Sequence, residues 1–284
     1  MHTPIRNQTT RVNGRAELVV TAGDARGGET AKLSHLFHRQ PLRLFFPHPS
    51  RRSAFAAVLG NVSGGMVGGD QYAVSVKLEE GAKMLFTAQA AEKIYRTAGA
   101  ETRVDTDIHV GEDAALYWLP QGTILFDGCR LRRMSQYHLA PDARMLAGEI
   151  VMFGRTAMGE ELGRGLFHDD WRIRVAGRLV WADAFHMDGD LAATLAHPAT
   201  LDEARAMASC VYVAKDAADH LSQAREILGD GEVTAAATAF DGLLLIRWMA
   251  RDAAALRRSF GNFWCGFCRE IGEDSANPPS IWHI

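Results

Sequence analysis

The sequence predicts a mainly β protein, with a β-rich body over residues 1–190 and a small C-terminal α/β layer over residues 191–284 that carries two helices. Three observations lead there. From residue 15 to about residue 186 the apolar residues recur with period two, the spacing of strands that bury one face. No convincing helical period occurs before residue 190. The chain also carries 27 glycines against 9 prolines, which supplies many turn positions.

Glu17 to Thr21 and Leu42 to Phe46 are the first strand candidates. Tyr72-Ala-Val-Ser-Val-Lys-Leu78 places Tyr72, Val74, Val76 and Leu78 on one side, with Ser75 and Lys77 opposite. Val104 to Val110 repeats the scheme, with Asp105, Asp107 and His109 facing out. Both read as strands of antiparallel sheet. Met84 to Thr87, Ala115 to Leu119 and Met145 to Met152 follow. Trp171 to Val175 and Leu179 to Phe185 are separated by Ala176-Gly177, a hairpin length and composition. After His197-Pro198 the pattern changes. Thr200-Leu-Asp-Glu203 has the form of a capping box and predicts a short helix. Cys210 to Ala214 is a strand candidate. Asp216 is placed to cap a helix carrying Ala217, Leu221, Ala224 and Leu228, with Gly229 beyond its end. Strands around Val233 to Phe240 and Leu243 to Met249 precede a longer helix from Asp252, which sets Leu256, Phe260, Phe263, Phe267 and Ile271 on one face. No Pro/Ser-rich linker divides the two parts, so one compact unit of 284 residues is expected.

Composition excludes several function classes. Lys and Arg number 31 against 34 Asp and Glu, a net charge of −3 that favours neither nucleic acid nor an anionic membrane. The longest uncharged stretch, Ser53 to Gly69, contains five glycines and is unsuited to a membrane helix. Met1 to Arg11 lacks the apolar core of a signal peptide, so a cytoplasmic location is expected. The four cysteines, Cys129, Cys210, Cys265 and Cys268, are too few and scattered for a disulfide framework.

Ser63-Gly-Gly-Met-Val-Gly-Gly-Asp70 is the most distinctive segment. It lacks the Gly-Lys-Ser/Thr ending of a P-loop, and a strand follows where a dinucleotide fingerprint needs a helix. Three readings stay open: phosphate binding, a tight turn in which Asp70 bonds a nearby N–H, and a backbone surface held open for a ligand or partner. Cys265-Gly-Phe-Cys268 has the spacing of a redox or metal pair but lies late in its helix, away from the N-terminal dipole that activates such thiols. His35-Leu-Phe-His38 has ligand-like spacing in a chain with eleven histidines, where such pairs arise by chance. Asp70, Glu149 and Glu160 stand out among the carboxylates because each sits beside a glycine, where backbone can approach a partner or line a passage.

Taken together, the ordered segments resemble the urease accessory protein UreD family, called UreH in some organisms. They are Gly27-Gly-Glu-Thr30, Gln40-Pro-Leu-Arg43, the glycine cluster Gly64, Gly65, Gly68 and Gly69 with Asp70, and Ala88 to Arg96 with Tyr95-Arg96. Leu116-Tyr-Trp-Leu-Pro-Gln-Gly-Thr-Ile-Leu-Phe126, with Trp118, Pro120 and Gln121, comes next. Phe153-Gly-Arg-Thr-Ala-Met-Gly-Glu160, with Gly154, Arg155 and Gly159, and the ending Pro278-Pro-Ser-Ile-Trp282 complete the set. Two features depart from the pattern: Ser280 replaces an Arg usual in the ending, and Cys265/Cys268 is not a family feature.

The fold expected is a large wound antiparallel/mixed, β-helix-like sheet, and the resemblance implies such a winding and a non-enzymatic scaffold in urease maturation. The implied partners are urease apoprotein, UreF and, through UreF, the GTPase UreG, with no nucleic acid or membrane. No tightly bound cofactor is implied; nickel(II) passes transiently, and Asp70, Glu149 and Glu160 are expected to face a water-filled interior path. Trp118, Pro120, Gln121, Tyr95 and Arg96 are expected to be structural, and Arg155 to position Glu160. The competing readings are a thiol oxidoreductase using Cys265 and Cys268, a hydrolase using the glycine-rich turn, and a nickel-storage protein.

Overall fold

The computed structural model describes residues 11–23, 31–47, 55–155, 158–273, 278 and 282. The Gly27 to Thr30 segment, Thr156, Ala157, Ser280 and His283 lie outside the described residues.

The chain winds between two facing sheets. β1 (Asn13–Ala22) and β2 (Ala31–Arg39) pair antiparallel in the first sheet, and β3 (Leu42–Phe45) and β4 (Phe55–Asn61) pair antiparallel in the second. The path then runs through β5 (Gln71–Leu78), β6 (Lys83–Ala88), the short β7 (Glu92–Ile94), β8 (Thr102–Val110), β9 (Ala115–Leu119), the short β10 (Thr123–Leu125), β11 (Arg130–Leu139), β12 (Arg144–Phe153) and β13 (Arg164–Val175). β1, β5, β8, β11 and β13 lie side by side and parallel in the first sheet. β4, β6, β9 and β12 do the same in the second. The winding is therefore a two-sheet β-solenoid, closed at one end by the β13–β14 hairpin, with β14 spanning Arg178–Asp190.

The winding corrects the antiparallel reading of β5 and β8. Each departure from the first sheet returns through a strand of the second, so the next first-sheet strand points the same way. Parallel strands usually lose their alternation because helical crossovers cover both faces. Here the crossovers are strands, the outer face of β5 and β8 stays uncovered, and the period-two pattern survives.

α1 (Leu191–Ala196) follows, capped by the Asp190 carboxylate, which accepts from the Ala193 N–H at 3.0 Å. The short helix expected at Thr200 to Glu203 is a turn, and the helix sits ten residues earlier. Asp202 and Glu203 have φ of +44° and +63°, in the left-handed region, and the Thr200 hydroxyl donates to the His197 carbonyl (2.9 Å). A capping box needs right-handed residues after its cap, and these are not.

β15 (Ala206–Val213) leads through a single 3₁₀ turn, Ala217–His220, into α2 (Leu221–Leu228). β16 (Thr234–Phe240), β17 (Leu243–Ala250) and α3 (Ala253–Glu270) complete the chain, with Asp252 capping α3 through the Ala254 and Ala255 N–H groups (2.7 and 3.3 Å). β15, β17 and β16 extend the second sheet from β12, all antiparallel. Leu256, Phe260, Phe263 and Phe267 of α3 pack on the outer face of that sheet against Leu146, Ile150, Cys210 and Ile246. Burying each of these large side chains contributes roughly 1.5–3 kcal/mol. The second sheet is thus covered on both faces, which is why Met145 to Val151 is buried without interruption.

Candidate functional site

Between the two sheets lies a cavity of about 90 Å³, enough for several waters at about 15 Å³ of probe volume each. Most of its wall is apolar, and its charged lining groups are Glu92, Arg133 and Glu149. Arg133 projects inward from β11, Glu149 from β12 and Asp169 from β13, so the two sheets each supply part of one buried charge cluster. The Arg133 guanidinium grips Asp169 bidentately, Nε to Oδ1 at 2.7 Å and a terminal nitrogen to Oδ2 at 2.8 Å. It also donates to Thr123 Oγ1 (3.2 Å) and lies 2.5 Å from Glu149 Oε2.

Two buried carboxyl groups share this one guanidinium, and they respond in opposite directions. Burial pushes Glu149 well above the usual carboxylate range, against the pull of Arg133, and the neighbouring negative charge of Asp169 adds to the rise. Burial also acts to raise Asp169, but the Arg133 charge and hydrogen bonds outweigh it and hold Asp169 below its ordinary value. The two carboxyls are also hydrogen-bonded to each other, and burial and charge together favour a proton on Glu149 over one on Asp169. This is the usual outcome when like charges compete in a dry site. Glu92, from β7, is raised by burial and offset by the Asn61 amide, which donates to its Oε2 at 3.0 Å.

Asp70 does not join this cluster. Its carboxylate accepts from the Val12 N–H (3.1 Å), the Val67 N–H (3.0 Å) and the Tyr72 hydroxyl (3.3 Å), and only Tyr72 reaches the cavity wall. Of the three readings of the glycine-rich segment, the tight turn is the one with these bonds. Gly64 and Gly69 take φ of +79° and +92°. Gly65 and Gly68 sit so close to Tyr95 and Thr97 that an added Cβ would lie 2.4 and 2.0 Å from their side chains. The turn thereby lays Met66 alongside Ile94 and sets it in the cavity wall.

Glu160 lies elsewhere, half-exposed, in a bidentate pair with Arg155 at 2.8 and 3.1 Å. The hydrogen bond from Arg155 holds its carboxyl below the usual range, and the guanidinium stacks over Phe126 at 4.3 Å. Gly154 and Gly159 bracket this loop with φ of +84° and +73°. Tyr95 donates to the Gly64 carbonyl (3.1 Å), and Arg96 pairs with Asp127 at 3.1 Å on the surface.

Trp118 lines the cavity and stacks on Phe86 at 4.5 Å. Pro120 lines the cavity as well, and its carbonyl and the neighbouring Gln121 meet Trp282 and Arg257. Trp282 Nε1 donates to the Pro120 carbonyl (3.2 Å), and Arg257 donates to Gln121 through both its carbonyl (2.8 Å) and Oε1 (2.6 Å). Arg257 also lies over the Trp282 ring at 4.1 Å. The 116–126 segment and Trp282, far apart in sequence, are therefore joined by one arginine of α3.

Cys268 is buried, and burial raises the half-buried Cys265 thiol, the reverse of an activated redox cysteine. His35 pairs with Glu17 while His38 meets Arg43. An i, i+3 spacing on a strand turns the two imidazoles to opposite faces, so they do not converge.

The sequence reading missed Arg133, Asp169 and Glu92. A family model described as UreD urease accessory protein matches residues 12–283. The chain belongs to the UreD urease accessory protein family. A relative from Magnetococcus marinus named Urease accessory protein UreD is 40% identical over 259 residues, 89% of this chain and 89% of the relative. Proteins of the same name from Methylobacterium sp. (strain 4-46) and Azorhizobium caulinodans are 41% and 40% identical, covering 93% and 96% of this chain and 94% and 97% of theirs. The family match spans the glycine-rich turn, the cavity cluster and the Trp282 latch alike.

Proposed function

We propose that this chain is a non-enzymatic scaffold in urease maturation, acting in the cytoplasm with UreF and the GTPase UreG on urease apoprotein, and that its interior cavity carries nickel(II) toward the urease site. Family membership supports the maturation role. The observation that carries the nickel reading is the buried cluster at Glu149: a carboxyl group whose hold on a proton is strengthened by burial, beside water-sized space, with an Arg133–Asp169 pair behind it. A dication entering the cavity would meet the carboxyl oxygens of Glu149 and Glu92, and protons leaving those two groups would offset its two charges. Oxygen donors bind nickel weakly enough to release it, as a conduit requires. Glu92 provides a second carboxyl on the same cavity wall. Asp70 serves the passage indirectly, by fixing the turn that sets Met66 in its wall.

The reading is tested by co-purification from cells lacking UreG. The chain is expected to bring down UreF and urease subunits together. Recovery of the chain without either would overturn the scaffold role.

A further inference from the structure

On the outer face of the first sheet, away from the cavity, Asp107, His109 and His138 converge. Asp107 and His109 alternate by two along β8, and parallel register sets His138 of β11 directly opposite His109. The two imidazoles stack at 4.5 Å with an interplanar angle of 11°. Their Nε2 atoms flank the Asp107 carboxylate, His109 at 3.4 Å from Oδ2 and His138 at 3.3 Å from Oδ1. One donor atom from each of the three residues fits within a 4.8 Å group.

These separations are long for hydrogen bonds to a carboxylate, where about 2.7–2.9 Å is usual for a charged donor. Asp107 Oδ1 is in fact shielded from solvent without an aligned hydrogen-bond donor. The two His–Asp separations match the edge of a coordination tetrahedron, where bonds of about 2.1 Å give ligand–ligand distances of roughly 3.4 Å. Rotation of the stacked rings about their Cβ–Cγ bonds is what would bring both Nε2 lone pairs onto one ion. We propose that Asp107, His109 and His138 form a binding site for a borderline divalent transition-metal ion of the nickel(II)/zinc(II) class. Two imidazoles and one carboxylate select this class over magnesium or calcium, which take oxygen ligands. Three protein donors leave coordination positions open to water or to a donor from another molecule. Lys77 and Arg174 flank the histidines in register and weaken the ion's hold, so the site exchanges its metal.

The test is equilibrium dialysis of the full chain, without a histidine tag, against nickel(II), zinc(II) and magnesium(II), with bound metal quantified. Wild type is expected to bind one more equivalent of nickel or zinc than the His109→Gln/His138→Gln variant, and Glu149→Gln is expected to keep that equivalent. X-ray absorption is expected to show imidazole scattering that the double variant loses. If the double variant misfolds, Asp107→Asn serves: loss of an outer-shell partner alone weakens such sites roughly 10–100-fold, and loss of a ligand weakens them no less. Equal nickel in wild type and either folded variant overturns the proposal. So does displacement of the nickel by equimolar magnesium.

Discussion

Asp70 and Glu149 are both carboxylates that follow a glycine, and both are almost removed from solvent, at 3% and 9% exposure. Their surroundings differ in kind. Asp70 is satisfied by backbone N–H groups on two separate segments and a hydroxyl, which ties the glycine-rich turn to β1. Glu149 faces a cavity and competes with Asp169 for Arg133. A buried acid with fixed neutral donors is an anchor; one whose proton depends on a shared cation is poised for exchange. Burial and a neighbouring glycine select both, and only the partners separate them.

The contrast breaks most visibly at the cation the cluster shares. Asp169→Asn leaves Arg133 buried without its bidentate partner and is expected to cost about 3–5 kcal/mol, read as a lowered urea midpoint. Asp70→Ala strands two backbone N–H groups and is expected to cost about 2–3 kcal/mol by the same measurement. Glu149→Gln keeps the side chain's shape, so its expected change is the smallest of the three, about 1 kcal/mol.

The sign of the Glu149 effect with pH sharpens the comparison further. Its folded pKa lies above its unfolded value, so the native state binds the extra proton and its stabilising contribution is complete below the unfolded pKa, about 4.3. That contribution is lost as pH rises toward the folded pKa. Relative to wild type, Glu149→Gln is therefore expected to gain stability as pH rises from 4 to 8, measured by urea unfolding across that range. A flat difference would mean Glu149 is ionised in the folded protein.

Sequence patterning recovered the elements whose apolar residues alternate against one layer, such as β5 and β8, and the capped helix α3. It missed β2, whose central residues are all exposed, and β11, whose inward positions include Arg133 and Ser135 in place of apolar residues. The same substitution that hid β11 builds the cavity cluster, so Arg133 was illegible because it breaks the pattern that reveals strands. Strand direction was illegible too, since alternation records which face is wet and not which way the neighbour runs. Glu149 was visible through its glycine. Asp169 was not, because its neighbours Asp170 and His168 give it no local contrast and its partner arrives from β11.

Whether Glu149 lies on the route of nickel into urease is read from the nickel content of urease matured with the Glu149→Gln protein. With equal amounts of the accessory chain bound to urease and UreF, the account predicts a clear fall in nickel per urease site, while a stability-matched surface variant, Glu161→Gln, leaves it unchanged. Full nickel occupancy with Glu149→Gln, at equal complex levels, would contradict it.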